Sequence, residues 1–158
     1  MDLEPFIRLA AAVAVLGTAV VYGTDVFCAI VLRPALTTVD DRTLVAVTGR
    51  VHRYGDRRMP VPGALGVVAS VLCAVLAALT GQWAQATAAG VAFVALLAWL
   101  AVYLRVSAPI NRQLTAAADD YRSLPNSRAL QAKWDQVINA RAILQGLAVA
   151  ALCVTLAI

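Results

Sequence analysis

The sequence predicts an all-α protein: a polytopic membrane four-helix bundle with an additional amphipathic helix at the cytoplasmic surface. Three observations carry that expectation. Of 158 residues, 61% are hydrophobic and 14% charged, against roughly a quarter charged in a soluble domain. The charges are segregated, and the runs 9–24, 26–32, 59–104 and 142–158 carry none. The 46-residue run 59–104 would form a helix of about 69 Å, more than twice the ~30 Å of a hydrocarbon core. It therefore folds back on itself.

The first span is placed at about 6–32. It follows an acidic start, "MDLEPFIR", which suits a retained span better than a cleaved signal peptide, whose first residues are basic. Spans at about 60–80 and 86–108 are separated by "TGQWAQAT" (80–87), where a glycine, polar amides and a headgroup-type tryptophan mark a turn. The last span, about 130–157, begins outside the bilayer and runs into it. No repeat or second domain divides residues 1–158.

Twelve of the 13 Lys and Arg residues lie between Arg33 and Arg58 or between Arg105 and Arg141. With four spans both clusters face one side, which the positive-inside rule makes cytoplasmic, leaving both termini outside in a cytoplasmic-membrane protein. The net charge of +4 thus follows from topology and gives no reason to expect nucleic acid. The expected partners are membrane lipid and a lipophilic small molecule; the oligomeric state stays open.

Both basic connections carry structure. In "TVDDRTLVAVTGRVHRYGDRRMP", Asp40 and Asp41 read as a helix cap. Leu44, Val45, Val47 and Val51 then recur at near-helical spacing up to a glycine and a proline. This is the amphipathic surface helix. The second connection predicts a short helix near 110–121, a turn at "SLPNS", and a cap at Asn126 or Ser127 for the last helix.

Several polar residues stand out against this background. Asp25 lies near the cytoplasmic end of the first span, roughly 10 Å inside it by helical rise. An intramembrane carboxylate costs about 2.5–3.5 kcal/mol near a helix centre and marks a functional site unless it is paired structurally. Thr18, Tyr22 and Asp25 share a helical face. His52, the sole histidine, and Asp56 are one turn apart, readable as a proton-transfer pair or as an interfacial histidine on a wet helix. Trp134, Ile138, Arg141 and Gln145 form a stripe at the start of the last span, with Asn139 beside it. Arg141 either snorkels to phosphates or turns inward to Asp25 or a ligand oxygen. Trp99, Tyr103 and Ser107 share a face of the third span, as packing, belt or ligand-wall residues.

Some chemistries find no support. Cys28, Cys73 and Cys153 form no C-x-x-C, which argues against a disulfide oxidoreductase. No G-x-S-x-G, H-E-x-x-H or phosphate-binding glycine loop occurs. A metal site would have to combine His52, Asp56 and Asp25 around iron or copper, a thin donor set with one histidine per chain.

With the spans placed, "GTDVFCAIVLRPAL" (23–36), "APINRQL" (108–114) and "WDQVINAR" (134–141) together resemble the anthrone oxygenase-like family of small four-helix membrane proteins. The likeness covers nearly the whole chain through short motifs. It implies a monooxygenase-type oxidoreductase of polyketide secondary metabolism, with molecular oxygen as co-substrate and no established cofactor. On that reading Asp25 or His52 is the base, and Arg141 and Asn111 hold the oxyanion. Tyr22, Trp99, Tyr103, Trp134 and Asn139 contact a planar substrate. A metal-dependent oxygenase and a non-catalytic lipid-binding or cation-exporting protein are the competing readings. The latter would use Asp25, although transporters place their sites nearer the midplane.

Overall fold

The computed structural model describes residues 3–122 and 124–158. All regular elements among them are helical: α1 (Glu4–Phe27), a π-helical turn (Cys28–Leu32), α2 (Arg33–Thr37), α3 (Asp41–Arg58) and α4 (Pro60–Leu79), then α5 (Trp83–Val102), a second π-helical turn (Tyr103–Ser107), α6 (Ala108–Asp119) and α7 (Ser127–Ala157). Four helical stretches are long and apolar enough to cross a membrane: Glu4–Thr37, Pro60–Leu79, Trp83–Asp119 and Ser127–Ala157. The chain is an all-α helical bundle with the character of an integral membrane protein.

The four long helices form a ring in which α1 and α5 each contact both α4 and α7, while α3 lies on α6 at one end. Small residues set the closest approach. A Cβ on Gly17 would sit 2.7 Å from the Pro62 carbonyl oxygen, and one on Gly66 would sit 2.6 Å from Thr18 Oγ1. Helices α1 and α4 therefore meet backbone to backbone, as small residues permit in membrane bundles. Buried alanines continue the seam: Ala10, Ala11 and Ala14 on α1, with Ala69 and Ala77 on α4.

The short helix α4 fixes the depth scale. Its 20 residues span about 30 Å, one hydrocarbon thickness. The other three stretches all outrun it at the end where α3 and α6 lie. At the opposite end α4 and α5 join through Thr80–Gln82, where Gly81 adopts φ +75°. That region is left-handed and glycine enters it without steric cost.

Several boundaries move relative to the sequence reading. The turn at 80–87 contracts, because α5 starts at Trp83. The expected separate helix near 110–121 is continuous with the third span through the second π turn. Asn126 holds the cap position of α7 without a side-chain capping bond. Asp40 does cap α3, accepting from the Thr43 backbone N–H at 2.7 Å, and these hydrogen bonds hold its carboxyl below the ordinary carboxylate range. The apolar stripe of α3 is a correction. Leu44 and Val45 are buried, but Val47 and Val51 are exposed, because the face packed on α6 runs through Thr48, Gly49 and His52. Gly49 makes that contact: a Cβ there would collide with Ala118 and the Leu114 backbone of α6.

Candidate active site

Two widened turns organise the site. At Cys28–Leu32 the Arg33 N–H reaches the Cys28 carbonyl, and at Tyr103–Ser107 the Ala108 N–H reaches that of Tyr103, five residues back in each case. Each turn ends two residues before a proline, Pro34 and Pro109. Proline has no N–H to give and its ring clashes with the carbonyl four residues earlier. A π turn relieves both problems, and such turns recur at functional sites. Here they lie beside Asp25 and Ser107, on the two diagonal helices α1 and α5.

Arg141 of α7 occupies the space between these turns. One terminal nitrogen donates to Asp25 Oδ1 at 2.7 Å and the other to Ser107 Oγ at 2.8 Å. The inward alternative is therefore realised, with both ion-pair partners buried. Asp25 Oδ2 accepts from Trp99 Nε1 at 3.1 Å and lies 3.5 Å from Gln145 Nε2. The guanidinium carbon is 5.4 Å from the Tyr103 ring centroid, 5.6 Å from Trp134 and 6.0 Å from Trp99. Desolvation makes an isolated charge costly, and the carboxylate, hydroxyl and three π faces together compensate the cation.

A second network adjoins the first. Asp56 Oδ1 accepts from the Tyr103 hydroxyl at 2.8 Å and from Asn111 Nδ2 at 2.9 Å, and Asn111 Oδ1 accepts from Trp134 Nε1 at 3.1 Å. The helices α3, α6 and α7 and the second π turn are thereby tied together. His52 lies one turn before Asp56, its ring 5.6 Å from that of Trp134.

Two nitrogens of this assembly are buried without a hydrogen-bond partner, His52 Nε2 and Arg141 Nε. Buried polar atoms are almost always satisfied, so such a pair calls for an explanation. Both side chains line a cavity of about 510 Å³, within the usual range for small-molecule sites. Asp25, Asp56, Asn111, Trp99, Tyr103 and Trp134 share the wall, which is otherwise apolar and includes Val21, Met59, Gly63 and Val67. Burial pushes the His52 imidazole down to about 4, against the opposing pull of Asp56 and with a smaller contribution from Arg141. It is neutral at physiological pH.

The depth differs from the sequence expectation. Thr24 Oγ1 lies 3.9 Å from the sulfur of Met59, the residue just before α4. Asp25 is thus level with the end of α4 rather than well inside it. The cavity runs from this polar rim towards Ala64 and Val68, deeper along α4.

Two expected wall residues are elsewhere. Tyr22 packs against Gly146 of α7, its ring 3.2 Å from where a Cβ there would be, and it is not part of the wall. Asn139 is exposed, because the buried stripe of α7 passes through Ile138, Arg141 and Gln145 and leaves it on the opposite side. Asn111 is in the wall, but the two hydrogen bonds it makes brace Asp56 and Trp134. The proposed metal set also fails. No group of three His, Cys, Asp or Glu among the described residues could hold a metal ion; Asp25 and Asp56 are committed to separate networks. Sequence reasoning did not find Ser107 as a support for Arg141, nor the small residues Gly55 and Gly63 in the wall.

No protein-family model, curated protein or solved structure matches the chain.

Proposed function

We propose that the protein is an oxidase or oxygenase of the anthrone oxygenase-like type, acting on a lipophilic aromatic or phenolic ketone with molecular oxygen. It would sit in the cytoplasmic membrane with its charged connections inside and both termini outside. One observation carries the reading: two buried nitrogens without a partner, one on a neutral imidazole and one on a guanidinium, belong to side chains that line an apolar cavity walled by aromatic rings.

The chemistry divides among these groups. A CH₂ flanked by aryl rings and conjugated to a carbonyl is acidic enough for a positioned base. His52 Nε2 takes its proton, and the resulting enolate oxygen accepts from Arg141 Nε–H. The enolate passes one electron to O₂, and recombination forms a C–O bond, giving a hydroperoxide once His52 returns the proton. Removal of the second C–H proton with O–O cleavage releases water, so CH₂ plus O₂ becomes C=O plus H₂O. Asp25, neutralised by Arg141, keeps that cation in place instead of acting as base. The same pairing disfavours cation export, since a cationic cargo would meet Arg141 where it needs a free carboxylate.

The test is oxygen uptake by the purified chain in nanodiscs with an anthrone. Expected are equal amounts of oxygen consumed and quinone formed, and a loss of about 10²-fold or more in His52→Gln. Absence of uptake, or an unchanged rate in the variant, removes the proposal.

A further inference from the structure

The polar rim selects by charge. Arg141 is balanced by Asp25, and Asp56 adds a second carboxylate tied by Tyr103 and Asn111. A head that arrives ionised, such as a fatty-acid carboxylate or a phosphate, would have to give up its water beside two carboxylates with only the one Arg141 N–H left to receive it. A cationic head would meet the Arg141 guanidinium. A neutral head with acceptor oxygens meets neither penalty.

The unpartnered atoms specify the rest. Arg141 Nε–H is a donor only. His52 Nε2 donates in one tautomer and accepts in the other, so it can serve a carbonyl or a hydroxyl. The His52 ring and the Arg141 guanidinium each stand 5.6 Å from the Trp134 ring, so a flat ring bound beside them can lie against aromatic surface. The cavity also opens to the side through apolar residues. Val68 and Leu104 line it and yet are 61% and 57% exposed. Alongside α4, whose length matches the hydrocarbon layer, that opening leads to acyl chains.

We propose that this cavity binds an isoprenoid quinone, a neutral 1,4-dione or its quinol, with the ring at Arg141 and His52 and the tail leaving past Val68 and Leu104. The inference goes beyond the oxidation reading, since binding needs neither turnover nor oxygen.

The measurement is saturable quenching of tryptophan fluorescence in the detergent-purified full chain, titrated with a decyl-tailed benzoquinone. Trp99 and Trp134 are the reporters. His52→Phe, which removes the polar atom, should weaken binding about tenfold, the equivalent of one buried hydrogen bond. His52→Gln, which keeps a donor and an acceptor, should stay within a few fold of wild type, as thermal melts verify folding of both. Gly63→Leu should abolish binding by filling the cavity. Palmitate and a decyl alcohol should not compete. Non-saturable quenching, equal binding by His52→Phe or Gly63→Leu, or full competition by palmitate overturns the proposal. The two readings also fail separately: His52→Gln should bind quinone while oxidising anthrone about 10²-fold or more slowly, and a wild type that oxidises anthrone without saturable quenching sinks only the quinone site.

Discussion

Asp25 and Arg141, 116 positions apart in the chain, meet at 2.7 Å with each side chain more than nine-tenths buried. The pair joins the first and last membrane-crossing helices at the rim where α4 ends. Trp99 of α5 and Ser107 of the π turn that follows it complete the pair, so three of the four long helical stretches converge on one charge pair.

Breaking that pair from one side should cost far more than replacing it whole. Arg141→Met leaves a buried carboxylate without its cation, a loss of about 3–5 kcal/mol. The double variant Asp25→Leu/Arg141→Met should recover most of it, since apolar replacement of a buried pair is often neutral or better. Thermal unfolding of both in detergent measures the difference. Additive losses would show that the pair is not coupled.

Acid should weaken the fold through His52. Its folded-state value of about 4 lies below the ordinary 6.5, so between those values the unfolded chain binds the extra proton. Stability then falls as pH drops from about 6.5 towards 4, by up to roughly 3 kcal/mol in all. His52→Gln should lack this component. The check is the pH dependence of the difference in unfolding free energy between wild type and variant, which should slope within that window and level off above it.

Gly49 is where α3 closes on α6. Its replacement by alanine puts a methyl against Ala118 and the Leu114 backbone, and overpacking of this kind typically costs 1–3 kcal/mol. Higher helix propensity returns up to about 1 kcal/mol. Because α3 carries His52 and Asp56, Gly49→Ala should lower both the melting temperature and anthrone turnover, whereas Gly55→Ala, with open space around it, should raise the melting temperature slightly through helix propensity alone.

The spans were legible because apolar runs and charge clusters report directly on burial in lipid. Asp25, His52, Asp56, Asn111, Arg141, Trp99, Tyr103 and Trp134 were legible as candidates because polar and aromatic groups are conspicuous there, and they line one cavity. What failed was angular detail. Tyr22 shares a broad helical face with Thr18 and Asp25, yet that face divides between two neighbours, α4 taking Thr18 and α7 taking Tyr22. Helical spacing could not say which valines of α3 meet α6, because Gly49 decides it through an absent side chain. The π turns carried a sequence signal that went unread: "LRPAL" and "VSAPI" each place a proline inside what must remain a continuous helix.

The shortness of α4 beside its three longer neighbours has a consequence for the lipid. Only this helix, 20 residues against 31 or more, matches the slab without excess, so it serves as the gauge that positions the rim. In a thicker bilayer the hydrocarbon would reach past Pro60 and immerse the charge pair, so acyl-chain length should tune the stability of that rim.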